Sequence, residues 1–259
     1  MHEEIPLAPV PRTPRLPGEV VVRPGVDEVV DALAADLLVQ ARLCIRSFGD
    51  FHLALSGGST PEPLYKRLMY DPALRDFPWT RTHLWQVDER RVPEEDERRN
   101  YRLIRETIVE HSGLPAGQAH PMEAMADDAA ERYERSLREA LEWRERGHDR
   151  LDFVLLGMGA DLHTASLFPG SGALTAPPGR LVVVNEGAGV TPPDRVTLTL
   201  EMINASRFVG VMVTGPGKRE AVRRLESGHL EVREAPIWGV RPLAGVLRWY
   251  LDEAACPRE

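Results

Sequence analysis

A chain of 259 residues is long enough for one large α/β domain or two small ones, with a proper core in either case. Its 42% hydrophobic and 28% charged residues are those of an ordinary globular protein, so disorder is not the default. A formal net charge of −8 with no sustained Lys/Arg tract argues against a nucleic-acid groove or an anionic membrane surface as partner, but leaves room for a local basic pocket. Cys44 and Cys256 stand near opposite ends in no metal or redox spacing, and Cys44 falls in a helical pattern as a small core residue. The N-terminus has no charged start followed by an apolar stretch, and no apolar run approaches a membrane span. A soluble, cytoplasmic protein is expected.

Residues 1–18 carry Pro6, Pro9, Pro11, Pro14 and Pro17 and are expected to form an extended arm, leaving 19–259 as the domain proper. Val20–Val22 reads as a short strand. From Val26 to Phe48 apolar residues recur at helical spacing, through Val29, Val30, Leu33, Leu37, Ala41 and Cys44. The strand His52–Leu55 runs into Ser56-Gly57-Gly58-Ser59-Thr60-Pro61 and then a helix. Such a strand, glycine/serine turn and helix can cradle an anion with backbone N–H groups, the helix dipole and hydroxyls, although the same turn also serves simple geometry. His83–Val87 is a third strand, ending in Asp88-Glu89-Arg90-Arg91. Taken alone that cluster reads as a solvated loop of weak ion pairs; its place after a strand raises it. Helices follow around Tyr101–Val109 and over Asp127–Arg146.

The stretch from Leu151 to Gly170 organises the chain. Phe153-Val154-Leu155-Leu156 has the continuous apolar pattern of a strand buried on both faces, and Gly157 and Gly159 end it. Asp161 and His163 come next, a carboxylate and an imidazole at the carboxyl end of a strand, the edge where open parallel sheets bind ligands. Further strands are expected at Leu181–Val184, at Val196–Leu200 opened by Arg195, and at Phe208–Val213. The last leads into Thr214-Gly215-Pro216-Gly217-Lys218 and a helix at Arg219–Leu225, and the pattern from Leu243 to Ala255 predicts a closing helix. Alternation of strands and helices without an interdomain linker implies an α/β fold with a parallel, helix-covered sheet in one domain.

Four loops thus leave strands with polar cargo, Ser56–Thr60, Asp88–Arg91, Asp161–His163 and Thr214–Lys218, with Arg195 able to join them. Loops that follow parallel strands share one edge, so a pocket with phosphate donors on one side and an Asp/His pair on the other is expected. Neither glycine turn has P-loop spacing, Gly157-Met158-Gly159 lacks the dinucleotide continuation, and no nucleophile elbow occurs. Asp161 and His163 offer two metal ligands with no local third, so no metal is expected. Trp85, Trp143 and Trp249 read as packing residues. Acid–base chemistry on a small phosphorylated substrate is what remains.

Five motifs, Leu55-Ser56-Gly57-Gly58-Ser59-Thr60-Pro61, Asp88-Glu89-Arg90, Gly157-x-Gly159-x-Asp161-x-His163 with Ala165-Ser166-Leu167-Phe168-Pro169-Gly170, Arg195-Val196-Thr197-Leu198-Thr199, and Gly215-x-x-Lys218, occur in the order seen in 6-phosphogluconolactonases. From about Val20 onward the chain resembles that family, whose superfamily includes glucosamine-6-phosphate deaminase. The resemblance implies a Rossmann-like α/β/α sandwich and hydrolysis of 6-phospho-D-glucono-1,5-lactone, the second step of the oxidative pentose phosphate pathway. It places the phosphate against Ser56, Gly57, Gly58, Ser59, Thr60, Arg195 and Lys218. His163, with Asp161 and Asp88 at matching motif positions, lies near the lactone carbonyl, and no cofactor is expected. An imidazole with an ordinary pKa of ~6.5 is a competent base at neutral pH. Arg90, or the N–H groups of the glycine turn, are candidates for the developing oxyanion.

The alternatives are a glucosamine-6-phosphate deaminase or sugar-phosphate isomerase on the same scaffold, and a sugar-phosphate sensor without turnover. Deaminases typically have Asp-Glu-Tyr where this chain has Asp88-Glu89-Arg90, which favours the lactonase. A monomer or small homo-oligomer acting on a small sugar phosphate is expected. Two residues depart from the family pattern. Leu162 stands where the family usually has glycine between the Asp and the His, a strained or obstructive choice if the position needs φ > 0. Arg99 stands where serine commonly precedes the asparagine at Asn100, and the segment Ala235–Arg241 is only loosely family-like.

Overall fold

The computed structural model describes residues 10–258, so Pro6 and Pro9 of the proline-rich arm lie outside the described residues. In chain order the elements are β1 (Glu19–Arg23), α1 (Val26–Phe48), β2 (Phe51–Leu55), α2 (Glu62–Tyr70), β3 (Thr82–Gln86), β4 (Asp88–Arg90), α3 (Asn100–Ile104, extended by a wider turn over Arg105–Val109), α4 (Ala129–Leu141), β5 (Phe153–Gly157), β6 (Val182–Glu186), β7 (Asp194–Leu198), α5 (Leu200–Ala205), β8 (Phe208–Val213), α6 (Arg219–Glu226) and β9 (Val246–Asp252). Six strands form one sheet in the order β1-β9-β8-β5-β2-β3, and every neighbouring pair is parallel.

Parallel strands buried on both faces are near-continuous apolar runs, and here the pleat sorts their side chains into two cores. Phe153 and Leu155 of β5, Phe208 and Met212 of β8 and Leu53 and Leu55 of β2 pack with Leu33, Leu37 and Cys44 of α1 and Leu64 and Tyr65 of α2. Val154 and Leu156, Val209, Val211 and Val213, and Ala54 face the other way, onto Tyr133 and Leu137 of α4, Val222 and Leu225 of α6, and Met202 and Ile203 of α5. The result is a single-domain α/β/α sandwich with a mostly parallel sheet. Helix α1 forms where its apolar stripe predicts it, with Asp27 and Glu28 in its first turn and Arg46 in its last, both signs favourable to the helix dipole. Among the described residues no helix is long and apolar enough to cross a membrane.

Two expected strands and one expected loop form a second sheet beside the main one. β4, β7 and β6 make a separate antiparallel sheet, with Asp88 opposite Thr197 and Arg90 opposite Arg195. The departure happens at Val87, whose N–H still donates to Leu55 O of the main sheet while its carbonyl accepts from Leu198 N of the second. Asp88–Arg90 is therefore strand, not the solvated loop its composition suggests, and Asp88 and Glu89 are buried. The strand opened by Arg195 also stops early. Thr199 accepts a hydrogen bond from Met202 N and caps α5, so Leu200 is helical.

The C-terminal expectation is overturned. Val246–Asp252 is a strand inserted between β1 and β8, not a helix. Its run Val-Leu-Arg-Trp-Tyr-Leu has β-branched and aromatic content, and a slot open on both sides supplies ladder partners that a helix there would forgo. Arg248 on this strand pairs with Glu19 and Asp36, and Tyr250 OH donates to Asp36. Helix α4 is also shorter than expected, ending at Leu141. The described part of the proline-rich arm is tied down: Pro11 bridges Arg258, Arg12 pairs with Glu226, and Pro17 O accepts from Trp249 Nε1 at 2.8 Å.

Candidate active site

At the carboxyl ends of β2 and β5, roofed by the second sheet, lies a cavity of about 370 Å³. That is within the usual range for a small-molecule site. On one wall β5 ends at Gly157 and the chain folds into a tight turn. Thr164 Oγ1 donates to Gly157 O, Gly159 N donates to His163 O at 2.9 Å, and Leu162 N donates to Gly159 O at 3.1 Å. Within this turn His163 Nδ1 meets Asp161 Oδ1 at 2.6 Å, and the His163 backbone N–H also donates to that carboxylate. A carboxylate only accepts, so the ring proton sits on Nδ1 and Nε2 keeps its lone pair. The hydrogen bond from His163 holds the Asp161 carboxyl below the ordinary carboxylate range.

Gly159 makes this packing feasible. A Cβ on it would overlap His163 Nδ1 and Asp161 Oδ1, so the pair lies directly over its Cα. Leu162 adopts φ 73°, the left-handed region that makes glycine the usual choice. It is strained as expected but does not obstruct: its side chain is 0% exposed, turned into the core and away from the cavity.

Opposite the dyad the cavity gathers anion-binding groups. The N–H groups of Gly57, Gly58, Ser59 and Thr60 have no acceptor among the described residues. Arg195 is 6% exposed, has no carboxylate within ion-pair distance among the described residues, and keeps Nε without a partner. Burial lowers its pKa, with Asp88 working against that shift and Arg90 adding to it. Its guanidinium rests over Phe168, 5.8 Å from the ring centroid, and the same ring lies 5.1 Å from that of His163. Arg90 stands directly across the β4–β7 pair from Arg195, and Lys218 reaches the cavity from the start of α6. Arg90, Arg195 and Lys218 make no ion pair among the described residues, although the Asp88 carboxylate lines the same cavity, and together they can bind an anion.

Every expected site residue except Asp161 lines this one cavity; Asp161 stands behind His163. Asp88 is on the wall, but its hydrogen bond is with Ser166 Oγ at 2.6 Å, not with His163. Of the turn's N–H groups, one expected source of oxyanion donors, those of Gly159, Leu162 and His163 are used inside the turn, while those of Met158 and Ala160 have no acceptor among the described residues. Residues not singled out beforehand complete the wall, among them Ser166, Phe168 and Asn100. Ser166 and Phe168 lie inside the quoted motif. Asn100 opens α3, donates through Nδ2 to Asp88 O, and packs against Gly57 so closely that a Cβ there would overlap it. Glu89 holds this corner by accepting from the N–H groups of Arg90, Asn100 and Tyr101 and from Gln86 Nε2, and burial raises its pKa.

Comparison with known proteins shows the family. A family profile described as glucosamine-6-phosphate isomerases/6-phosphogluconolactonase matches residues 24–249. The chain belongs to this family. It is 36% identical to a 6-phosphogluconolactonase of Synechocystis, over 80% of this chain and 84% of that protein. It is 39% identical to the human GDH/6PGL endoplasmic bifunctional protein over 87% of this chain, which spans 28% of that longer protein. Its fold is that of the 6-phosphogluconolactonase of Thermotoga maritima, with a TM-score of 0.76, 27% identity, and coverage of 90% of this chain and 99% of the other. Arg99 approaches Glu89 at 3.8 Å and Glu94 at 3.4 Å, outside the cavity lining.

A second cluster of ionisable groups lies at the opposite ends of β2 and β3. Ligand-type atoms of Asp50, His52 and His83 fall within 4.8 Å of one another. Their protons are already placed against a metal: Trp85 Nε1 donates to His52 Nδ1 at 3.1 Å, so the ring proton is on Nε2, which donates to Asp50. Asp50 is in turn paired with Arg144. This is a satisfied structural network, not a cation site.

Proposed function

We propose that this chain hydrolyses 6-phospho-D-glucono-1,5-lactone to 6-phospho-D-gluconate, the second step of the oxidative pentose phosphate pathway. The observation that carries the proposal is the His163–Asp161 pair facing Arg90, Arg195 and Lys218 across one cavity. The phosphate sits against the Ser56–Thr60 N–H groups with Arg195 and Lys218, which anchors the sugar at the end remote from reaction. Binding energy there holds C1 beside His163.

Hydrolysis then follows from the proton inventory. His163 Nε2 takes a proton from water as the water oxygen bonds to C1, and Asp161 stabilises the imidazolium through Nδ1–H. Arg90 on the cavity wall, with the free Met158 N–H of the turn, supplies donors for the developing negative charge on the carbonyl oxygen. Collapse breaks the bond from C1 to the ring oxygen, which receives the proton back from His163 Nε2, and the new acid ionises to a carboxylate. Asp88, held by Ser166, contributes a fixed acceptor for a sugar hydroxyl on the cavity wall. No step in this route needs a cofactor. The two thiols are buried and unpaired, compatible with a reducing compartment, and the cytoplasm is the compartment proposed.

The test is a coupled assay in which glucose-6-phosphate dehydrogenase generates the lactone and its loss is followed with and without this protein. Acceleration over the spontaneous rate is expected. Binding without acceleration would favour a sensor, and ammonia release from glucosamine 6-phosphate would favour the deaminase.

A further inference from the structure

Leu162 and the segment Ala235–Arg241 are separate departures from the family pattern in the sequence, and the structure brings them together. Leu162 O accepts from Ile237 N at 3.1 Å, inside the short turn Pro236–Gly239. Leu162, Ala235, Ile237 and Val240 are each 0% exposed and belong to one core cluster. The Leu162 N–H donates to Gly159 O, so this residue joins the glycine under the dyad to the 235–240 segment through both of its backbone groups. Its φ of 73° carries a steric cost that glycine would not have. Complete burial of a leucine side chain is the gain set against that cost.

We propose that Leu162 is a positioning residue, a buried anchor fastening the turn that carries Asp161 and His163 to the 235–240 segment, so that the imidazole is held on its carboxylate by core packing. A glycine here would keep the turn's hydrogen bonds but leave a side-chain-sized void beneath it, and the residue between the acid and the base would gain the freedom the leucine denies. The anchor acts on the reacting end of the cavity alone. The phosphate end is built from β2, β7 and the start of α6, with none of which Leu162 shares a backbone hydrogen bond.

The inference rests on the lactonase reading, and the experiment separates the two. Wild type, Leu162→Gly, Leu162→Ala and Leu162→Met are compared for kcat and KM on the lactone, and for the titration of the Asp161 carboxyl carbon by NMR without substrate. Leu162→Gly is expected to lose about five- to tenfold in kcat at unchanged KM, the cost of a small misplacement of the base. Its Asp161 midpoint should move up as the contact with His163 loosens. Leu162→Met, which keeps the volume, should retain wild-type values. If Leu162→Gly does not fold, Leu162→Ala, which keeps a Cβ but loses the anchor, carries the same expectation. Wild-type kcat and an unmoved Asp161 midpoint in the truncated variants would overturn the anchor, as would equal losses in Leu162→Met. Absence of wild-type turnover would instead overturn the lactonase reading, and the Asp161 titration would still decide the anchor.

Discussion

His163 can reach its carboxylate because position 159 has no side chain. Gly159→Ala would put a methyl group where Nδ1 and Oδ1 now meet, and is expected to lower kcat by roughly 10²-fold, comparable to removing part of a general base, with the fold retained by circular dichroism. At the other end of the cavity, Arg195 is buried without a carboxylate partner. Arg195→Ala should raise KM about 10- to 100-fold, because a charge-assisted hydrogen bond to a bound phosphate is worth about 1.5–3 kcal/mol. Steady-state kinetics of both variants distinguish the two ends: kcat should fall in the first and KM rise in the second. The dyad itself was legible in the sequence, since Asp161 and His163 follow a buried strand and a glycine pair. Their bond length and the role of Gly159 as the surface they close over were not, because a close approach between three residues of one turn leaves no periodic trace. Asn100 went unassigned for a related reason: its place at the cavity depends on contact with Gly57, more than forty positions away in the chain.

At the scale of elements, the strands β2 and β3 carry His52 and His83 beneath the site, stacked with Trp85 and His120 in near-parallel planes. His83 and His120 share a 3.0 Å ring-nitrogen contact, and burial pushes them down to about 4 and about 3 respectively. These folded-state values lie below the ordinary imidazole value of about 6.5. As pH falls below that value, the unfolded chain takes up protons that the folded chain refuses. The stability contribution is therefore complete above about 6.5 and is lost progressively toward pH 4 and then 3. Thermal melts across that range should show a falling Tm, with a shallower slope in His120→Gln; an unchanged slope would contradict the assignment. Nearby, Arg144 is almost fully buried between Asp50 and Asp152. Arg144→Met would leave Asp152 with Arg207 and Asp50 with His52 as remaining partners, at a cost of about 1.5–3 kcal/mol, readable by chemical denaturation. Helix α1 was legible from its stripe to its boundaries. The strand β9 was not, because a short apolar run reads as helix or strand until its neighbours are known, and its neighbours come from opposite ends of the chain.

For the whole molecule, the site is where two sheets meet. The parallel sheet delivers the Ser56–Thr60 loop and the His163–Asp161 pair at its carboxyl edge, and the antiparallel β4-β7-β6 sheet places Arg90, Asp88 and Arg195 beside them. The fold class, the four polar segments that follow strands and their convergence with Arg195 could be read from alternation and motif order. The second sheet could not, because the chain changes sheets at a single residue, Val87, with no turn or composition shift to mark it. A cationic cavity in a chain of formal charge −8 concentrates a phosphorylated substrate locally, so kcat/KM should fall with added salt mainly through KM. In the proposed reaction the His163–Asp161 pair opens a phosphorylated lactone held by the cation cluster. The most direct measurement is the rate of lactone loss over the spontaneous background for wild type and His163→Ala, with binding of 6-phosphogluconate measured alongside. Acceleration by the wild type, reduced by about 10²–10⁴-fold in His163→Ala while 6-phosphogluconate still binds, is the predicted result. A wild type that does not accelerate the reaction, or a His163→Ala protein that keeps the full rate, would contradict it.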